Sequence, residues 1–314
     1  MSPTTSLAIV SVSGGKDSTA TALLALDRYG HDRCRFVFAD TGNEHELTLE
    51  YVQDYLPRRL NISIDTVRAD FSADIARKRV YVAEQWPNKG VPAEVVERAL
   101  SILHPTGIPF LDLCLWKGRF PSRKAQFCTQ ELKRRPLDKY LLDLLAAGLI
   151  VESWQGVRRD ESDARRDAAE RERAAEGWWI ERPIVDWSAQ QTVDFVLSRG
   201  VQLNPLYSQG HSRVGCYLCI NECKDGINNA SRRHPHHIDK IREWERLVGM
   251  ASKRGFSTLL HHADGEGHDA EHAFRHCNID AMVAWSRTAF GGRQFDLLKF
   301  AAPPSCSSTY GLCE

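Results

Sequence analysis

An apolar, largely β-branched run, Leu7-Ala-Ile-Val-Ser-Val12, passes without a spacer into Ser13-Gly-Gly-Lys-Asp-Ser18, and this junction constrains the fold more than any other stretch. The run suits a buried parallel strand. Gly14 and Gly15 let the chain turn sharply with no Cβ in the way, so successive amides and the start of the next helix can face an anion. Lys16 adds a cationic point charge, and Asp17 and Ser18 open the helix. Adjacent glycines and an Asp after the Lys set the turn apart from the Gly-x4-Gly-Lys-Ser/Thr phosphate loop. The plain alternative is a strand-to-helix turn with no ligand.

Strand and helix signals alternate over the first two hundred residues. Strands are expected at 7–12, 34–40, 62–69 and 149–154, and helices at 18–29, 44–60 and 132–147, with Gly148 as the cap of the last. This alternation predicts an α/β fold with a doubly wound parallel sheet that binds ligands at the carboxyl ends of its strands. Ser13–Ser18 and Asp40-Thr-Gly-Asn43 both fall at such ends. From 71 to 123 the pattern breaks around Pro87, Pro92, Pro105, Pro109 and Pro121; an irregular insertion, helical over 93–104, is expected to cover the site. The expected division is a nucleotide-binding domain over 1–204 and a cysteine-containing C-terminal subdomain over 205–314, helical over 238–253.

A chain of 314 residues with 42% apolar content can bury a sizeable core. Lys plus Arg equals Asp plus Glu at 41 each, so no overall field draws the chain to nucleic acid or an anionic membrane, and a polyanion must be held by a local patch. No run approaches the roughly 18 apolar residues of a membrane helix, and a cytoplasmic protein, bacterial or phage-encoded, is expected.

Nine cysteines in that compartment argue for metal binding, catalysis or buried thiols before disulfides. Cys216-Tyr-Leu-Cys219 is a closely spaced pair, with Cys223 beyond it and His211 upstream; Cys128 lies far before them, and Cys306 and Cys313 near the end. Three readings stand side by side. An iron-sulfur cluster would use Cys128, Cys216 and Cys219 with one more ligand. A structural zinc site would use the pair with Cys223 and a histidine. A redox dithiol fits less well, since no strand leads directly into a helix there. Cys34 and Cys114 read as small buried hydrophobes. His234-Pro-His-His237 and His261-His262 read as surface or packing residues, and Trp187, Trp244 and Trp285 as core residues.

Ser13–Ser18, Asp40-Thr-Gly42, Phe127-Cys-Thr-Gln-Glu-Leu-Lys-Arg-Arg-Pro136, Gly156-Val-Arg-Arg-Asp-Glu-Ser162 and Arg182-Pro-Ile-Val-Asp-Trp187 occur in one order. Over most of residues 7–225 the chain thereby resembles the phosphoadenosine phosphosulfate reductase family of the PP-loop superfamily, the adenine nucleotide alpha hydrolase-like ATP pyrophosphatases. The resemblance implies an adenine nucleotide held by Ser13, Gly14, Gly15, Lys16, Asp17 and Ser18, bordered by Asp40, Thr41 and Gly42. It also implies a [4Fe-4S] cluster on Cys128, Cys216 and Cys219. The Cys-Cys pair of cluster-containing relatives is broken here by Phe127 and Thr129, which leaves the fourth ligand open among Cys223, Cys306, Cys313 and a non-protein group. Cys306 and Cys313 have the Cys-x6-Cys spacing of the ATP pyrophosphatase subunit of DNA phosphorothioation systems.

Two departures from phosphosulfate reductases bear on chemistry. The chain keeps Lys16-Asp17, which favours ATP cleavage, and it ends Tyr310-Gly-Leu-Cys-Glu314 rather than in the reductase motif whose Cys attacks sulfur. The leading expectation is ATP-dependent sulfur transfer that forms AMP and pyrophosphate. Lys16 and a Mg²⁺ near Asp17 would act at the phosphates, and a cluster or a persulfide on Cys313 would deliver sulfur. The alternatives are reduction of adenosine or phosphoadenosine phosphosulfate to sulfite through Cys313, and a non-catalytic nucleotide-binding module that regulates a partner. Arg158, Arg159 and Arg165 would grip phosphate or sulfate oxygens, or else belong to a solvated, salt-laced helix over 160–176. Expected partners are a sulfur donor such as a cysteine desulfurase and a nucleic-acid acceptor drawn by Arg123, Lys124, Lys133, Arg134 and Arg135; a homodimer is compatible with the sequence.

Overall fold

The computed structural model describes residues 6–260, 269–289 and 294–295. Strand β1 (Leu7–Val12) leads into α1 (Lys16–Tyr29), and β2 (Cys34–Asp40) into α2 (Glu46–Glu50) and α3 (Leu56–Leu60), joined by the π turn Tyr51–Tyr55. Next come β3 (Ile64–Arg68), α4 (Ser72–Gln85), α5 (Ala93–Ile102), α6 (Pro109–Lys117) and, after a second π turn at Thr129–Arg134, α7 (Arg135–Ala146). Strands β4 (Val151–Trp154), β5 (Arg171–Arg173) and β6 (Trp179–Glu181) precede α8 (Ala189–Ser198), α9 (Pro205–Ser208), α10 (Lys224–Arg233) and α11 (Pro235–Ala251). Helices α12 (Ala270–Cys277) and α13 (Ile279–Ser286) and the small pair β7 (Thr288–Ala289) and β8 (Gln294–Phe295) follow.

The six-stranded sheet runs β3-β2-β1-β4-β6-β5, parallel throughout except for β5, which is antiparallel to β6. The order reverses between β1 and β4. Loops leaving those two strands diverge to opposite faces and open a crevice at their carboxyl ends, the place where such sheets bind ligands. Alternation along β1 serves both faces. Ala8, Val10 and Val12 pack with Phe36, Phe38, Leu56 and Val196 on one side, and Ile9 packs with Val37, Leu141, Leu144 and Val151 on the other. Helix α7 ends in a Schellman turn, with Gly148 at φ +81° and Leu149 N–H donating to Leu144 O at 3.2 Å.

Residues 71–123, expected to be irregular around one helix, form three. Their prolines start helices instead of breaking them: Pro109 opens α6 and Pro92 caps α5, positions where a missing N–H costs nothing. Ile75, Val82, Ala99, Leu113 and Leu115 of this stretch share one core with Leu206, Ile227, Ile241, Trp244 and Val248 of the C-terminal region. Residues 160–176 are likewise no helix. They form short 3₁₀ turns at Arg159–Glu161 and Asp163–Arg165, separated by an extended Ser162 (φ −169°, ψ 156°), and then β5. Among the described residues no helix is long and apolar enough to cross a membrane.

Candidate functional site

The crevice is a cleft of about 1020 Å³ lined by the 13–18 loop, the ends of β2 and β4, Lys133, Arg158, Arg165, Tyr207 and the 212–215 segment. Its floor is the turn after β1. Gly14 adopts φ +77°, and a Cβ there would lie 2.9 Å from Thr48 Cγ2 and 3.0 Å from Val52 Cγ2, so glycine alone lets α2 and the π turn press on the loop. Ser18 Oγ accepts from Ser13 N–H at 3.1 Å and donates to Gly15 O at 3.0 Å, which closes the loop on itself. Tyr207, far along the chain, accepts the Lys16 N–H at 3.2 Å.

Lys16 and Arg158 are buried, and both converge on Asp17. Lys16 Nζ lies 3.2 Å from Asp17 Oδ2, and Arg158 Nε donates to Asp17 Oδ1 at 2.6 Å while another nitrogen of the same guanidinium pairs with Asp160. The loop after β4 comes this close because of Gly156, whose substituted Cβ would sit 2.7 Å from Asp17 C. Arg159 pairs with Asp186 and donates to Ala168 O at 3.0 Å, and Arg165 pairs with Glu161 at the cleft wall. Two packed cations and a helix N-terminus beside an open cleft are the kinds of donors that suit a polyanionic phosphate chain.

The Asp40-Thr-Gly42 turn is divided between tasks. Asp40 accepts from Gly42 N–H at 2.9 Å and pairs with Arg68 at 3.0 Å. Fully buried Thr41 donates to Glu44 Oε1 at 2.6 Å, and its Oγ1 lies 3.4 Å from Cys216 Sγ. Glu44, which the sequence reading passed over, is buried and held above the usual carboxylate range by that burial. It lines the cleft together with Lys133. Lys133 turns inward from the basic segment, hydrogen-bonds Cys216, and is held above its ordinary value chiefly by that sulfur. Burial pushes Cys216 up to about 11 against the opposing pull of Lys133. The basic segment is further depleted because Glu131 pairs with Arg135.

Cys219 lies within electrostatic reach of both Cys128 and Cys216. Cys128 and Cys219 pack against the same core, burial and then the Cys219 sulfur raise the Cys128 thiol, and Cys219 also acts on Cys216. The Cys216–Cys219 turn is pinned to the end of β2: Tyr217 N–H donates to Asn43 O at 2.6 Å, and Asn43 Nδ2 donates to Tyr217 O at 3.0 Å. Cys223 takes another place. It caps α10, accepting from Gly226 N–H at 3.4 Å. Cys114 and Cys34 are buried, as expected. Cys306 and Cys313, the remaining candidate ligands and the candidate nucleophile, lie outside the described residues, as do His261 and His262.

Beside this turn sits a histidine cluster that the sequence reading assigned to surface or packing. His45 stacks on His237 at 4.8 Å and meets His234 edge-on at 4.3 Å, with Tyr217 4.6 Å from His45 and 4.5 Å from His237. Burial pushes His45 down to about 3, and His211 and His237 to about 4, so all three are neutral at pH 7.

Comparison with known proteins finds relatives over nearly the whole chain. The chain is 43% identical to an uncharacterised 37.8 kDa protein of Escherichia phage 186, over 98% of this chain and 96% of that one. It is 31% identical to the adenosine 5'-phosphosulfate reductase of Streptomyces coelicolor over 112 residues, 33% of this chain and 42% of that protein. A phosphoadenylyl-sulfate reductase structure from Candida auris overlaps 68% of this chain and 83% of its own, at 15% identity and a TM-score of 0.42. The phosphoadenosine phosphosulfate reductase domain model matches residues 8–97 and 113–222, the stretches that carry the loop, the cleft wall and Cys128, Cys216 and Cys219, and the chain belongs to that family.

Proposed function

We propose that this chain binds an adenine nucleotide in the cleft and performs ATP-dependent sulfur transfer, forming AMP and pyrophosphate as it activates an acceptor oxygen. The observation that carries the reading is the retained Lys16-Asp17 pair, with Arg158 packed on the same carboxylate at the mouth of the loop. Oxide is a poor leaving group in water, and adenylation lets it depart as AMP. Lys16, Arg158 and the amides opening α1 would take up charge growing on pyrophosphate, each well-placed donor worth roughly 3–4 kcal/mol. Asp17, Asp160 and Glu161 are already engaged by Lys or Arg, so a Mg²⁺ would enter chiefly on the nucleotide's own phosphate oxygens.

Cys128, Cys216 and Cys219 fit an iron-sulfur cluster: they are soft donors in a partly buried pocket, with the Lys133 cation to offset thiolate charge. A cluster bound there would supply sulfur or electrons next to the cleft. Lys133 and Glu44, which line the cleft and meet Cys216, are the groups through which nucleotide and thiols would sense each other. The second reading, reduction of a phosphosulfate nucleotide, is favoured by the similarity to adenosine 5'-phosphosulfate reductases. Anaerobic incubation of the iron-loaded chain with labelled ATP, a cysteine desulfurase and either total tRNA or plasmid DNA tests the proposal. AMP release that depends on Lys16 and on one acceptor supports it; sulfite release from adenosine phosphosulfate with no AMP from ATP replaces it by the second reading.

A further inference from the structure

Glu46 Oε2 is the meeting point of three ring nitrogens. His237 Nε2 lies 3.0 Å from it, His45 Nδ1 3.4 Å and His236 Nε2 3.8 Å. Ligands at Zn–N and Zn–O distances of about 2.0–2.1 Å stand about 3.3–3.4 Å apart at the edges of a tetrahedron, and the His45 and His237 separations from Glu46 lie near that value. Ligand atoms of His45, Glu46 and His237 all lie within 4.8 Å of one another, the sole such trio of His, Cys, Asp and Glu among the described residues.

The chemistry of the donors points the same way. His45 and His237 are buried, whereas Glu46 and His236 are largely exposed, which leaves an approach from solvent. Leu47 N–H donates to His45 Nδ1 at 3.0 Å, so the lone pair lies on Nδ1, the nitrogen turned toward Glu46, and the proton on Nε2. A metal on Nδ1 would displace that backbone donor. Lys240 and Arg233 also face the cluster, and Glu46 and Glu44 oppose them.

We propose that His45, Glu46 and His237 form a structural site for a divalent metal of the Zn²⁺ class, its coordination completed from solvent, separate from the thiol site. It would staple the start of α2 to the start of α11. Between them sits Tyr217, in contact with both buried rings, so the metal would hold the Cys216–Cys219 turn against the end of β2.

The test is Co²⁺ titration of chelator-stripped full-length chain, read by d–d absorption and by metal analysis. The expected result is about one equivalent bound with nitrogen–oxygen character, retained in Cys128→Ser/Cys216→Ser/Cys219→Ser and lost in His237→Ala and in Glu46→Gln. His276→Ala, in a histidine pair elsewhere, should bind like the native chain. Iron content is measured in parallel, so absence of a cluster counts against the thiol reading and leaves this one standing. Equal Co²⁺ binding by Glu46→Gln and the native chain, or Co²⁺ absorption that is all thiolate charge transfer and vanishes with the cysteines, would overturn the proposal. Glu46 is exposed enough that its variant carries the test even if His237→Ala or the triple variant fails to fold.

Discussion

Arg158 Nε donates to Asp17 Oδ1 at 2.6 Å while Lys16 Nζ stands 3.2 Å from the other oxygen of the same carboxylate. One half-buried carboxylate at the start of α1 thus holds two buried cations at the point where an anion would dock. Asp17→Asn removes the charge that justifies their burial. Arg158 keeps only Asp160, and the loss of one partner of a buried pair costs about 3 kcal/mol. Chemical denaturation should show it; a change below about 0.5 kcal/mol would mean that the cations are stabilised from elsewhere.

Gly156 sets the distance between the β4 loop and α1. With its Cβ 2.7 Å from Asp17 C, Gly156→Ala forces two backbones apart, an overpacking cost of about 1–3 kcal/mol. The same displacement carries Arg158 off Asp17, so nucleotide affinity should fall along with the melting temperature. Full affinity in a destabilised variant would separate the loop from binding.

Cys128→Ser, Cys216→Ser and Cys219→Ser should each lower anaerobically reconstituted iron per chain, whereas Cys223→Ser should retain it, because Cys223 is committed to the cap of α10. Lys133→Met should weaken iron retention without removing a ligand, since it deletes the cation facing Cys216. A zinc-only, colourless protein would reject the cluster.

Glu245 accepts from Leu259 N–H at 3.0 Å and Ile279 N–H at 2.9 Å, and burial pushes its carboxyl from 4.5 up to about 7. Between those values the folded chain keeps a proton that the unfolded chain has released. Its contribution to stability therefore falls as pH rises from about 4.5 to about 7 and is flat above. Glu245→Gln has no such proton, and the stability difference between variant and wild type should shift by on the order of 3 kcal/mol across that window. Parallel pH profiles for the two proteins would contradict this.

The loop, the strands and the carboxyl edge of the sheet were legible because they are local: a continuous apolar run, adjacent glycines and a cap glycine write themselves into consecutive residues. Tyr207 and Glu44 were not, since their roles arise from contacts across the chain, Tyr207 with Lys16 and Glu44 with Cys216 and Lys133. Of the three helices over 72–117 only α5 was expected; α6 was masked by Pro109, which looks like a breaker and acts as a start. Arg158 lines the cleft, but the salt-laced helix read beside it from the charge pattern does not form. Its segment is extended because the guanidinium reaches Asp17 and Asp160, a pull no helical charge pattern reveals. His45 and His237 lie 192 residues apart in sequence, so neither carries a local signal of the other.

Anaerobic calorimetric titration of the iron-loaded chain with ATP and Mg²⁺, and separately with adenosine phosphosulfate and phosphoadenosine phosphosulfate, tests the central claim most directly. The account predicts that ATP binds, in preference to either phosphosulfate, and that Lys16→Ala weakens it at least tenfold, about 1.4 kcal/mol. Binding of a phosphosulfate with no heat from ATP, or ATP binding indifferent to Lys16, would contradict it.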